Sequence, residues 1–267
     1  MTTMTTMWSA RTIAGIIVTV VLAGSPGFAA ESEPVADFGW TSPWQPARKG
    51  IRLEHLIVQK KVKATGDMAL AMTGPVIFFR RFPDVSSGVI KIDCRVRFRY
   101  PTVEVNHPDS SVIKVYLYNK DATHSFAWRW HTPYAWPRAG GNTMPRFYVG
   151  KTGGDYTNFG IQPHRWYKVT TVSNLDARTW QFLVDDVPYD PAAYQGRGPL
   201  RMKGMEKVNA FEVSARTGGM WLDGLRIWHD DRLIAASDFN EADGYVPGAS
   251  AFGLPAKTET APADGSR

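Results

Sequence analysis

Between residues 95 and 146 the sequence gathers side chains that bind anions and exchange protons. They are Arg95, Arg97 and Arg99, then Lys114, Tyr116 and Tyr118, then His124, Arg129 and His131, and last Tyr134, Trp136 and Arg146. Arginine forks onto a carboxylate through two parallel N–H donors. Tyrosine and histidine move protons within hydrogen-bond reach, and an exposed tryptophan is an apolar platform. These types together suit a ligand rich in carboxylates and hydroxyls. They also suit a β-elimination on a uronic acid. Arg97 and Arg129 would neutralise the carboxylate, Tyr118 or His131 would take the acidified C5 proton, and a tyrosine would protonate the leaving oxygen. Arg95, Lys114, Tyr116, His124, Tyr134, Trp136 and Arg146 would bind the substrate. Trp136 stands in a Pro/Gly-rich stretch, 133–141, which favours exposure.

Other chemistries fail on their own spacing. Gly150-Lys151-Thr152 resembles the end of a phosphate loop, but the glycine required five residues earlier is Pro145. Gly248-Ala249-Ser250-Ala251 ends in Phe252 rather than glycine, so it is no nucleophile elbow. No H-E-x-x-H occurs. Cys94 is the one cysteine, which excludes an internal disulfide and a cysteine-rich metal site. Its alternation with Ile92 and Val96 places it in the core. A net charge of +6 is too modest to point to nucleic acid.

The elements that carry these residues read as strands. In 89–100 (VIKIDCRVRFRY) the apolar positions 90, 92, 94, 96, 98 and 100 alternate with Lys91, Asp93, Arg95, Arg97 and Arg99. A strand sends successive side chains to opposite faces, so one face packs and the other meets water. In 112–118 (VIKVYLY) Ile113, Val115 and Leu117 oppose Lys114, Tyr116 and Tyr118. Further strands are expected at 53–63, 68–72, 76–82, 126–131, 146–150, 166–173, 179–184, 208–215 and 220–228. Turn residues such as Pro83-Asp84, Ser86-Ser87-Gly88 and Asn174-Leu175-Asp176 separate them. The pattern predicts an all-β chain, a two-sheet antiparallel β-sandwich. If consecutive strands are neighbours, the basic face of 89–100 and the Lys/Tyr face of 112–118 form one surface.

The chain divides into residues 1–29, 30–52, 53–254 and 255–267. The first reads as a secretory signal peptide, with Arg11 its sole charge, an apolar run over 13–23 and the small-x-small exit Gly27-Phe28-Ala29. The run is shorter than the ~20 residues of a membrane span. An N-terminal extension follows, then one sandwich domain, then a polar, proline-containing tail expected to be disordered. Export to the periplasm or beyond disfavours nucleotide cofactors.

The last strands share a cadence. Trp166-Tyr167-Lys168-Val169 opens a strand, Asn174-Leu175-Asp176 turns, and Thr179-Trp180-Gln181-Phe182-Leu183-Val184-Asp185 returns. Met220-Trp221-Leu222-Asp223-Gly224-Leu225-Arg226-Ile227-Trp228 closes the set. This order resembles the concanavalin A-like (laminin G-like) jelly-roll superfamily over roughly residues 50–240. The resemblance implies a jelly roll of the kind found in exported glycan-binding modules, glucanases and polysaccharide lyases. It also implies a possible Ca2+ site, for which Asp185, Asp186, Asp223, Asp238 and Asn240 offer oxygens. The carboxylate cluster of laminarinase-like hydrolases has no counterpart. The alginate-lyase strand is approached by Arg95-Val96-Arg97-Phe98-Arg99, which lacks the glutamate. Three readings remain. The first is recognition of a polysaccharide or oligosaccharide by the Arg/Lys/Tyr face and the Trp136 loop. The second is β-elimination of an acidic glycan. The third is a structural envelope protein without a sugar site, in which the Trp40–Trp44 segment would fill the groove.

Overall fold

The computed structural model describes residues 36–99, 113–122, 126–132, 146–149, 155–195, 198–202, 204–215 and 219–252. The segments read as signal peptide and tail lie outside these residues, as do His124, Tyr134 and Trp136. The described chain is an antiparallel β-sandwich. Its strands are β1 (Gln45–Pro46), β2 (Leu56–Gln59), β3 (Ala69–Met72), β4 (Val76–Val85), β5 (Val89–Phe98), β6 (Ile113–Tyr118), β7 (Phe126–Thr132) and β8 (Arg146–Val149). There follow β9 (Asp155–Gly160), β10 (Trp166–Asn174), β11 (Thr179–Val184), β12 (Val187–Pro188), the short helix α1 (Pro191–Gln195), β13 (Leu200–Arg201), β14 (Val208–Ala215), β15 (Met220–His229) and β16 (Arg232–Ser237).

One sheet has seven strands in the order β1-β4-β14-β6-β7-β8-β9. The other has nine, in the order β12-β11-β10-β5-β15-β3-β2, with β13 on β11 and β16 on β15. Period-2 alternation explains how they close on each other. Phe78, Phe82, Trp128, Trp130, Phe147 and Phe211 point inward from the seven-stranded sheet. Ile92, Val96, Phe98, Tyr167, Phe182 and Leu222 meet them from the nine-stranded sheet. Trp128 stacks on Trp180 across the core, with ring centroids 5.1 Å apart and planes 16° from parallel. Cys94 is buried among these side chains.

Two local departures from the expected strands have physical causes. Pro83-Asp84, read as a turn, lies inside β4. β14 shifts register between Val208 and Ala210 opposite this stretch, so β4 continues to Val85 through an irregularity that accommodates proline. Residues 53–55 are a 3-10 turn rather than strand.

Residues 36–46 belong to the sandwich. β1 pairs with β4, and Phe38 bridges to Ala236. Trp40 and Trp44 are in the core rather than on an outer face. They flank Arg80, whose guanidinium carbon lies 4.7 Å from the Trp40 ring and 5.5 Å from that of Trp44. Arg80 occupies an inward position of β4 and forks onto Asp37 at 2.8 and 2.6 Å. A buried guanidinium needs this full set of acceptors, since the charge has lost its water. Among the described residues no helix is long and apolar enough to cross a membrane.

Candidate functional site

The outward face of the seven-stranded sheet collects one group of chemically active side chains. Val115, Leu117, Trp128 and Trp130 are buried, so alternation turns Tyr116, Tyr118 and Arg129 outward, and all three are half-buried. Register aligns them. Tyr116 pairs with Arg129 on β7 and with Glu212 on β14, and Glu212 pairs with Phe79 on β4. Residues directly opposite on one face have Cβ atoms about 5 Å apart, so Glu212, Tyr116 and Arg129 form a continuous cross-strand row. In the next row the backbones of Lys114 and His131 pair, and His131 pairs in turn with Tyr148. Arg146 begins β8, with its backbone opposite Gly160.

Lys120 caps one end of this face. Its ammonium donates to Glu212 at 2.9 Å and lies 4.2 Å from the Phe79 ring and 5.0 Å from the Tyr118 ring. Burial, then the Glu212 carboxylate, holds the Tyr118 phenol above its ordinary pKa, while Arg48 pulls the other way. Tyr118 therefore keeps its proton at neutral pH.

Arg95 and Arg97 are not on this face. The expectation that 89–100 and 112–118 form one surface is corrected by the pairing. β5 lies between β10 and β15 in the nine-stranded sheet, whereas β6 lies between β14 and β7 in the other. The chain changes sheets between β5 and β6, so each strand turns its polar face away from the other across the core. The arginine expected to act beside Arg129, Tyr118 and His131 is thus on the opposite side of the molecule.

On the outward face of the nine-stranded sheet, β5 is the middle of four aligned rows. They are Trp166–Arg97–Trp221, Lys168–Arg95–Asp223, Thr170–Asp93–Arg226 and Val172–Lys91–Trp228. Two rows are internally satisfied. Thr170 donates to Asp93 at 2.5 Å, Lys91 approaches Asp93 at 3.2 Å, and Arg226 forks onto buried Asp238 with both contacts at 2.6 Å.

The residues considered for Ca2+ are otherwise engaged. Asp223 accepts from the amides of Ala64, Thr65 and Gly224 and from the Thr65 hydroxyl. Asp238 holds Arg226, and Asn240 accepts from the Asp67 amide. Asp185 and Asp186 pair with Arg165 and Lys168. Donor-filled oxygens facing N–H groups do not fit a cation. Among the described residues no three His, Cys, Asp or Glu side chains are grouped to hold a metal.

Sequence reasoning passed over Glu212, Lys120, Trp166 and Trp221 as site residues. Glu212 was visible as the outward position between Phe211 and Val213. Trp166 and Trp221 entered through their cadence alone, because nothing local says that both flank Arg97.

No protein-family model matches the chain, and no curated protein does. Among solved structures the chain is similar to a sialidase, with a TM-score of 0.45 and 9% identity over 74% of this chain. It spans 19% of that protein's length. It is also similar to domain 4 of AbnA, an extracellular arabinanase from Geobacillus stearothermophilus in complex with arabinotriose. There the TM-score is 0.39 at 11% identity, covering 68% of this chain and 77% of that one. For the carbohydrate binding module CBM66 from Bacillus subtilis the TM-score is 0.40 at 7% identity, covering 72% of this chain and 99% of that one.

Proposed function

We propose that this is an exported carbohydrate-recognition protein whose sugar site is the outward face of the seven-stranded sheet. The observation that carries the reading is the Glu212–Tyr116–Arg129 row with Tyr118 beside it. A saccharide presents hydroxyls that both donate and accept, and an acidic one adds a carboxylate. This row offers a carboxylate acceptor, two phenols that act either way, and a guanidinium donor. Arg129 suits a uronic carboxylate, and the Tyr116 and Tyr118 rings give the apolar faces of sugars a surface to lie on. Export is supported by the pattern of residues 1–29.

The test is retention of the full chain on a panel of immobilised neutral and acidic glycans. At least one glycan is expected to retain it. Tyr116→Ala and Arg129→Ala are each expected to weaken that binding about tenfold, the scale of a lost charged hydrogen bond. Absence of retention on the whole panel, or retention unchanged in both variants, overturns the reading.

A second reading, β-elimination, rests on Tyr116, Tyr118 and Arg129 sharing one half-buried face. Tyr118, a phenol on the same face as Arg129, would give its proton to the leaving glycosidic oxygen. Arg129 would neutralise the uronic carboxylate. His131 stands opposite Lys114, about 13 Å of strand from Tyr118. Tyr116, one two-residue step from Tyr118 and opposite Arg129, would therefore as its phenolate take the C5 proton, the C4–O bond would break, and a C4–C5 double bond would form. Ultraviolet absorbance of the unsaturated product, abolished in Tyr118→Phe, is the expected signal. A flat trace with every uronic polysaccharide the chain binds would leave recognition alone.

A further inference from the structure

We propose a second binding face, on the outward side of the nine-stranded sheet, that takes an anionic polysaccharide through an arginine ladder between two tryptophans. Arg95, Arg97 and Arg99 alternate along β5 and the residue just beyond it, so their side chains share one face at two-residue steps of about 7 Å. Trp166 and Trp221 stand directly opposite Arg97 on its two sides. Both rings are half-buried, and the Arg97 guanidinium carbon lies 5.7 Å from the centre of the Trp221 ring.

The charge on this ladder is available. Among the described residues none of the three arginines bonds a carboxylate. The acids nearest in register are committed elsewhere. Asp223, opposite Arg95, is turned to the amides of residues 64, 65 and 224, and Asp186 holds Lys168 at 2.7 Å. The Arg97 Nε is out of solvent with no acceptor. A guanidinium N–H in that position costs free energy until something accepts it. The neighbouring rows leave no such debt, since Asp93 and Arg226 are both paired.

The ligand that completes this arrangement carries carboxylates or sulfates for the arginine forks and a flat apolar ring face for the tryptophans. A chain of charged sugars has both along its length. A nucleic acid also has both, but the export pattern read in residues 1–29 favours the sugar chain, and the DNA arm of the test separates the two. The face rests on residues separate from the sugar row of the other sheet, so either can fail alone.

The experiment titrates fluorescently labelled polygalacturonate with the full chain at low and at physiological salt, beside neutral dextran and duplex DNA. Wild type is expected to bind polygalacturonate, more weakly at the higher salt, and to leave dextran free. In the Tyr116→Ala background, which weakens the other face, Arg97→Ala and Arg99→Glu are each expected to lose about tenfold in affinity, and Arg97→Lys, which keeps charge but not the fork, an intermediate amount. Tyr116→Ala, on the other sheet, is expected to leave the Arg99-dependent binding in place. Arg99 is exposed, so its variant keeps the proposal falsifiable if Arg97→Ala does not fold. Polygalacturonate binding unchanged when Arg99→Glu is added to Tyr116→Ala in the folded chain overturns the inference, as does equal binding of dextran or tighter binding of DNA. Binding lost in Tyr116→Ala but kept in Arg99→Glu also overturns it, and leaves the proposed sugar site standing.

Discussion

Asp223 is a carboxylate that the fold has packed with donors and also stripped of water. Four N–H or O–H groups reach it, and the residue is completely buried. Burial is the larger influence and pushes its pKa from 3.8 up to about 6, against the pull of those donors. The folded chain thus holds this proton more tightly than the unfolded chain. Its stabilising contribution is complete below about pH 4 and is lost as pH rises through about 6. The span corresponds to about 3 kcal/mol. Urea unfolding of wild type and Asp223→Asn from about pH 4 to pH 7 checks this. The advantage of wild type over the variant is expected to shrink by about that amount as pH rises. A widening gap would mean that the donors outweigh burial. In the sequence Asp223 enters only as one of the oxygens available to the Ca2+ site that the resemblance implies. What it does instead depends on amides 158 and 159 positions away, which no local pattern reveals.

At the scale of elements, β15 depends on one glycine. Against β5, Asp223 sits opposite Arg95 and Arg226 opposite Asp93, so three steps on β15 match two on β5. The extra residue is taken up at Gly224, with φ of +56°. This bulge returns Arg226 and Trp228 to the outward face; without it their parity would invert. A Cβ at Gly224 would lie 3.3 Å from the Thr65 hydroxyl, whereas one at Gly244, with φ of +88°, would meet open space. Gly224→Ala is expected to cost about 1–3 kcal/mol, and more than Gly244→Ala, read from denaturant midpoints. Equal costs would show that the left-handed backbone alone matters. Strand existence was legible wherever alternation was clean, as in β5, β6 and β11. It was not legible in β9, where Asp155, Thr157 and Asn158 interrupt any apolar period, nor in β16, whose Leu-Ile-Ala-Ala run has no alternation. Alternation also says which residues share a face of one strand but not which sheet the strand joins. That is why Arg97 and Tyr118 could be read together and yet stand apart.

For the molecule as a whole, the two sheets present unlike outward surfaces with a core of about 10 Å between them. The core is closed at its margin by both ends of the described chain. Trp40 donates to the Ala236 carbonyl at 2.7 Å, and Tyr245 receives bonds from Trp44 and Arg80 at 3.2 Å. With Trp40 and Trp44 spent in this closure, those two side chains fill neither outward face. Two rigid faces that share no side chain should act independently, since sites more than about 7–10 Å apart perturb each other little. A single composite site, as the order of residues along the chain suggests, would behave otherwise. The discriminating quantity is stoichiometry. Calorimetric titration with a short uronic oligosaccharide is expected to show two sites per chain. Arg99→Glu is expected to keep the site at Tyr116 and Arg129, and Arg129→Ala the site at Arg97. One site in wild type, lost in either variant, would require Arg99 and Arg129 to contact one ligand. The strand order forbids that, because β5 and β7 belong to opposite sheets.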